Sequence, residues 1–409
     1  MKVKISIKAI SVFFVWLLLL SNPPFSFYLV AGFPYIILKL ISLSVLTLIL
    51  IFKKRYIISS DIYAIVFILF LNFAFYIFSF IYHFDFSFIS QALPIIYVLV
   101  LYFEIKYIIG LQNFVKSYIY IMITMGLMGF IAFFLGLIDK LPNLGYIDPV
   151  KDSMNYLFTF SNSVFNREGD FKLVRIAGYF DEPGTMAFYL TFALLLNQMS
   201  FKNRIYDKLL IFSGVFTFSL AFFFTLIIYF SFYPNWKKTY LRLGVIIYML
   251  FFIIILTKDS NSISGGISLL TLNRLQESDD GIIKGDNRSI YFEQGINYFK
   301  EKPLLGHGQQ NVLTGSKYFG YDPSSFVGYL VFYGIIGTTI IFMVYLYQFS
   351  FIFNRYFKID LFVLKLVFIE LLLFIQRPLI NVPLALLILI VIVELLNVRR
   401  FSLLYYESV

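Results

Sequence analysis

Apolar residues fill most of the chain in long blocks, broken by short polar connections and by two long polar stretches. A helix that crosses a bilayer needs about 20 apolar residues, somewhat fewer where it is short. By that measure the blocks place spans at approximately 7–21, 32–52, 62–82, 86–103, 114–138, 184–200, 206–218, 220–235, 239–257, 326–350, 359–376 and 379–397. The pattern predicts an all-α fold, a polytopic transmembrane helical bundle of about 12 spans. The two polar stretches, 139–183 and 258–325, become long extracytoplasmic loops. A bundle in lipid is one architectural unit, so 1–409 reads as a single integral membrane domain.

The run Lys208–Tyr233 could be one long helix or two short ones, and charge separates the two readings. Lys202, Arg204 and Lys208 precede the run, and Lys237, Lys238 and Arg242 follow it. Two short crossings that turn near Thr217-Phe218-Ser219 keep both basic clusters on the cytoplasmic side, where such clusters accumulate. Lys53, Lys54, Arg55, Lys106, Lys116, Arg355, Lys358, Arg399 and Arg400 then also fall in the cytoplasm, with both termini. The outward loops are nearly balanced in charge: 139–183 has five Lys/Arg against seven Asp/Glu, and 258–325 has seven against eight. The contrast with the basic inner connections supports the same orientation.

Composition narrows the class further. Of the 409 residues 60% are hydrophobic and 14% charged, well below the roughly 25% charged of a soluble domain. The absence of cysteine excludes disulfides, thiolate catalysis and cysteine-ligated metal. The net charge of +10 sits mainly in the short connections, so it indicates membrane orientation and not nucleic-acid binding. Met1–Lys4 and the apolar run Ala9–Leu20 have the outline of a secretory signal, but Ser21-Asn22-Pro23-Pro24 offers no small-x-small cleavage site. The segment is read as an uncleaved first helix.

Specific chemistry in such a chain belongs where it meets water or lines a cavity. The first loop ends in Arg175-Ile176-Ala177-Gly178-Tyr179-Phe180-Asp181-Glu182-Pro183-Gly184 and runs directly into a span. Pro183 suits the first helical position, and Glu182 lies at the positive end of the helix dipole, which favours the ionised carboxylate. Asp181 and Glu182 are proton-acceptor candidates or simple helix caps. The second loop contains Asp286-Asn287-Arg288, a short helix to Lys300, and Pro303-Leu304-Leu305-Gly306-His307-Gly308. An arginine in a first helical turn opposes the dipole, so Arg288 is explained by an anion better than by helix stability, or it is an incidental surface arginine beside Asp286. His307 could move a proton or be an ordinary loop residue. No HExxH spacing or paired histidine suggests a metal, and Asp279-Asp280 reads as solvated charge. Lys39, Lys365 and Glu370 lie within spans, and Arg377 lies at the outer end of one.

These residues resemble the O-antigen polymerase and O-antigen ligase superfamily of bacterial surface-polysaccharide assembly. The matching pieces are Arg175-x-x-Gly178-x-Phe180 with Glu182-Pro183, the Thr217-Phe218-Ser219 turn, Arg288 followed by Pro303-Leu304-Leu305-Gly306-x-Gly308, and Gly334-x-x-Gly337. They cover approximately 175–337. Members commonly carry an arginine after the Thr-x-Ser turn, where this chain has Leu220. The ligase branch has a histidine before the span that follows the large loop, where this chain reads Tyr321-Asp322-Pro323-Ser324-Ser325.

The resemblance implies a polymerase joining undecaprenyl-pyrophosphate-linked oligosaccharide repeats at the outer face of the bacterial inner membrane. A chain-length-regulating membrane protein is an expected partner, and no cofactor is expected. Arg175 and Arg288, with Arg377, would hold the pyrophosphate, since a guanidinium fork binds phosphate oxygens in pairs. Glu182 leads as base, followed by Asp181 and His307, with Gly306 and Gly308 beside the substrate. The alternatives are an O-antigen ligase and a lipid-linked oligosaccharide flippase. A flippase would concentrate cations within its spans and have short outer loops, the reverse of this chain.

Overall fold

The structure is a computed structural model that describes residues 6–22, 34–53, 80, 97–137, 153–158, 161–168, 171–180, 182–232, 287–318, 321, 326–342, 347–353, 359–377 and 382–406. The expected span 239–257, all of 62–82 except residue 80, and Asp181 lie outside the described residues. The chain divides into two compact units: Met1–Pro23, Ala31–Phe114 and Arg288–Val409 form the first, and Pro24–Val30 with Val115–Asn287 the second.

The described parts of the apolar blocks are mostly helical. They form α1 (Ile7–Leu20), α2 (Pro34–Phe52), α3 (Leu111–Leu137), α4 (Pro183–Ser200), α5 (Arg204–Val215) and α6 (Leu220–Phe230). After these come α7 (Asn287–Glu301), α8 (Gln309–Thr314), α9 (Phe326–Ile341), α10 (Leu361–Gln376) and α11 (Pro383–Tyr406). Among the described residues one helix is long and apolar enough to cross a membrane, over Leu111–Leu135, and several others are shorter apolar helices.

The all-α expectation is corrected inside the first loop. Strands β1 (Ser153–Phe158), β2 (Ser161–Glu168) and β3 (Phe171–Gly178) make an antiparallel meander in the order β1-β2-β3. The strands are separated in sequence by the pairs Thr159-Phe160 and Gly169-Asp170. Two residues is the shortest hairpin connection, and Gly-Asp is a pair that favours it. Arg175 on β3 stands opposite Val164 on β2, and the register slips at Asn162/Ser163, where the sheet reaches Gly178.

In the second unit α4 is buried on every side from Thr185 to Gln198, as a helix apolar all round should be. Tyr118 on α3 donates its hydroxyl to the Tyr189 carbonyl at 2.7 Å. The run Lys208–Tyr233 does break at Thr217-Phe218-Ser219, with Phe218 in the left-handed region at φ 48°. The two arms have 12 and 11 residues, hence lengths of roughly 18 and 16 Å against a hydrocarbon core of about 30 Å. Neither described arm alone amounts to a full crossing.

In the first unit α11 is buried from Pro383 through Val393. At its C-terminal side Arg399 pairs with Asp360 at 3.1 Å and lies over the Phe362 ring at 4.1 Å, while Asp360 caps α10 by accepting from the Phe362 and Val363 amides. Lys106 pairs with Glu394 at 3.1 Å and also donates to Tyr102, whose hydroxyl donates to the same carboxylate. Two charge-assisted ties therefore hold α11, one to α10 and one to the π-helical turn Ile105–Ile109.

Candidate functional site

In the second unit the end of β3 is docked on the C-terminus of α5. A helix ends with carbonyls that have no helical donor and with a partial negative charge. The Ile176 amide donates to the Phe216 carbonyl at 3.1 Å, and Arg175 donates from Nε to the Thr217 carbonyl at 3.1 Å and from Nη2 to the Phe218 carbonyl at 3.3 Å. Thr217 closes the turn from within, its hydroxyl donating to the Gly214 carbonyl and accepting from the Ser219 amide. The half-buried Arg175 is therefore anchored to the Thr217-Phe218-Ser219 turn by two of its five N–H groups.

Downstream of Arg175, Ile176 and Ala177 are buried, and Phe180 is fully buried with its ring stacked on Tyr189 of α4 at 5.0 Å. These contacts bring the chain to α4 with Pro183 in the first turn, as the sequence suggested. Glu182 occupies the N-cap, and its carbonyl accepts from the Thr185 and Met186 amides. Its side chain makes no capping hydrogen bond. The carboxylate thus stands half-buried beside the positive end of α4 without being spent on the helix amides. Burial pushes the phenol of Tyr179, three residues before Glu182, up to about 12.

In the first unit the Pro303–Gly308 turn is built into a break in α9. Gly334 leaves the helix at φ 62°, ψ −169°, which frees backbone groups on both sides of it. The turn satisfies them: His307 and Gly308 donate their amides to the Val331 and Phe332 carbonyls at 2.8 and 2.9 Å, and Ile335 and Ile336 donate theirs to the Pro303 and Leu304 carbonyls at 2.8 and 3.2 Å. The two backbones are in direct contact. A Cβ on Gly306 would lie 2.5 Å from the Phe332 carbonyl, and one on Gly334 would overlap the Leu304 carbonyl. Gly306 and Gly334 also have positive φ, so both steric space and backbone conformation require glycine.

Arg288 is the second residue of α7, within the first turn as expected. His307 is buried at 4% exposure, and both ring nitrogens have partners: Nε2 the Tyr298 carbonyl at 2.8 Å, Nδ1 the Tyr318 hydroxyl at 2.7 Å. Arg377 is the C-cap of α10 and is partly exposed, its amide donating to the Leu373 carbonyl. Arg288, Gly306, His307, Gly308 and Arg377 thus belong to the first unit, and Arg175 and Glu182 to the second. Among the described residues no group of three or more His, Asp or Glu could hold a metal ion.

Two buried polar clusters escaped the sequence reading. Asp207, 3% exposed, accepts from Tyr229 and Asn197 at 2.6 Å and from Gln198 at 3.2 Å, tying α4, α5 and α6 together. The adjacent amides Asn197-Gln198 at the end of an apolar helix were the available signal. Glu394 was the other, a lone acid in the last apolar block, opposite Lys106. Of the ionisable residues expected inside spans, Glu370 is fully buried and faces Gln348.

Residues 209–343 match the family described as O-antigen ligase, about a third of the chain. The match supports the superfamily resemblance read from the motifs. It includes the Thr217-Phe218-Ser219 turn, Arg288, Pro303–Gly308 and Gly334, and it begins after Arg175 and Glu182. No curated protein and no solved structure matches the chain.

Proposed function

We propose that this relative of the O-antigen polymerase and ligase superfamily is a multi-pass enzyme of the bacterial inner membrane, with both termini cytoplasmic. It polymerises undecaprenyl-pyrophosphate-linked oligosaccharide repeats into O-antigen or a related surface polysaccharide at the outer face. A new glycosidic bond forms between the anomeric carbon of the donor glycan and an acceptor sugar hydroxyl. The bond from that carbon to the lipid pyrophosphate oxygen breaks, and the lipid pyrophosphate leaves.

Two needs follow from this reaction. The departing pyrophosphate gains charge, which guanidinium groups stabilise through paired hydrogen bonds. Arg288 and Arg175, with Arg377, take that role, and Arg175 enters it already oriented by the Thr217 and Phe218 carbonyls. The acceptor hydroxyl must lose a proton, and Glu182 is the base, supported by a carboxylate at the α4 N-terminus that makes no capping bond. The membrane lipid supplies the route for both polyprenyl tails, and a chain-length-regulating protein would act on the product.

The observation that carries polymerase over ligase is the state of His307. The ligase-type histidine position is occupied by Tyr321–Ser325, and the one histidine in this loop has both nitrogens engaged within the fold. A second reading, the ligase, is favoured by the description of the matching family. Deleting the gene in its host and running surface polysaccharide on a gel separates the readings. Single-repeat caps indicate polymerase loss, free polymer without lipid A attachment indicates ligase loss, and missing polysaccharide indicates a flippase.

A further inference from the structure

The last turn of α7 lacks one regular helical bond. The Lys302 amide donates to the Phe299 carbonyl at 3.2 Å, so the Tyr298 carbonyl loses its usual donor four residues ahead. His307 Nε2 takes that carbonyl at 2.8 Å. A carbonyl only accepts, so Nε2 carries the hydrogen, and Nδ1 accepts from the Tyr318 hydroxyl at 2.7 Å. The main chain of His307 is held as well: its amide donates to Val331 inside the α9 break, and its carbonyl accepts from Asn311 on α8 at 3.1 Å. One residue joins the end of α7, the 3-10 turn Ser316–Tyr318, α8 and the broken helix.

One turn earlier, α7 makes a second close contact. Gly295 is buried, and a Cβ there would lie 2.6 Å from Tyr321 Oη and 2.8 Å from Val327 Cγ1. The same face does not continue along the helix, since Phe292 is 51% exposed. The C-terminal half of the helix is therefore held by Gly295 against α9 and by His307 at Tyr298. Arg288 lies about 10 Å beyond Gly295 at the helical rise of 1.5 Å per residue. Fixing one end of a stiff helix sets the position of the other.

Resting on the reading of Arg288 as a pyrophosphate clamp, we infer that His307 and Gly295 are positioning residues for Arg288. They hold the end of α7 against the α9 break and so determine where the first turn of that helix lies. Both ring nitrogens of His307 are engaged within the first unit, as suits a residue that holds the end of α7.

The test uses the full-length protein, which has no native cysteine. Spin labels at Glu293→Cys and Thr339→Cys, both exposed, report the distance from α7 to α9. The distribution should be narrow in the wild-type background, broader with His307→Ala, and narrow again with His307→Gln, whose amide can still donate to Tyr298. Gly295→Ala should shift the mean. Polymer formation from the host's lipid-linked repeat should fall about 10- to 100-fold with His307→Ala, as sub-ångström to ångström misplacement does. His307→Gln should recover most of it, and His307→Ala should cost nothing further in an Arg288→Ala background.

An unchanged distance distribution in His307→Ala overturns the positioning role whatever Arg288 does. So does a His307→Gln variant as inactive as His307→Ala with a narrow distribution, because that pattern belongs to a proton carrier. Additive losses of His307→Ala and Arg288→Ala overturn it too. Normal polymer from Arg288→Ala, alongside a broadened distribution in His307→Ala, removes the clamp reading and leaves the hold on α7 established. Where His307→Ala is poorly expressed, Tyr318→Phe removes only the hydroxyl at Nδ1 and should give a smaller broadening. No broadening there, with abundance normal, counts against the pin.

Discussion

Arg175 holds Thr217 by its main chain: Nε donates to the Thr217 carbonyl at 3.1 Å, across 42 residues of sequence. Together with the bond to Phe218 it places a cation on the carbonyls of the turn that follows α5, which belong to neither α5 nor α6. The guanidinium is thus both a tie between the sheet and the α5–α6 turn and a candidate ligand for the leaving group.

These two duties separate by substitution. Arg175→Lys retains the charge at the turn but loses the fork, so it should keep normal abundance in the membrane while polymer formation falls at least tenfold. Arg175→Ala should lower abundance as well, because the Thr217 and Phe218 carbonyls of the α5–α6 turn lose the guanidinium bonds. A gel of polymer beside a quantitative blot gives the comparison, and an Arg175→Lys protein with full activity would reduce Arg175 to its structural bond.

Glu182→Gln should remove most polymer while leaving abundance and binding of the lipid-linked repeat nearly intact. The substitution removes the charge and keeps the shape, and no capping bond is lost because the side chain makes none. Asp181→Asn should be milder. Near-normal polymer in Glu182→Gln would dismiss this carboxylate as the base.

Arg288→Ala should abolish polymer, and Arg288→Lys should restore little of it, since an ammonium lacks the paired hydrogen bonds. Lys300, exposed near the other end of the same helix, should tolerate alanine. Polymer is measured against protein abundance, and full activity of Arg288→Ala at normal abundance excludes the clamp.

Gly306→Ala and Gly334→Ala should each lower abundance sharply, because either Cβ meets backbone that has no rotamer to adopt. The loss should exceed the roughly 1 kcal/mol effect of ordinary glycine substitutions, since φ is also positive at both sites. Thermal unfolding of the purified variants tests this, and wild-type melting of both would mean that the turn and the α9 break are not joined.

Lys317 pairs with Glu301 at the surface and holds its carboxyl below the ordinary 4.5, while Lys317 itself is held above 10.5. The sign follows from linkage: the Glu301 contribution is complete above the ordinary carboxylate value and is lost as pH falls through the lowered one. The Lys317 contribution is lost as pH rises past its raised value. Both groups are exposed, so the effect should be small and should shrink with added salt. Melting of Lys317→Met across the acid range should lack this salt-sensitive component, and an unchanged salt response would show that the pair contributes nothing.

The sequence by itself determined where the described apolar helices run. Apolar blocks of span length can satisfy their backbones only as helices, which is why α1, α2, α3 and α4 lie within a few residues of the expected spans. Pro183 marked the start of α4 and the Thr217-Phe218-Ser219 turn marked the break between α5 and α6, because both act through local backbone geometry. The sheet at Ser153–Gly178 was masked by its polar composition, although Gly-Asp hinted at a hairpin. Only the tertiary structure decided that Arg175 sits on the carbonyls of the α5–α6 turn, that His307 is pinned by Tyr298 and Tyr318, and that Pro303–Gly308 completes the break at Gly334. Each of these depends on backbone groups freed at helix ends and breaks, and their partners come from segments distant in sequence, which no local pattern records.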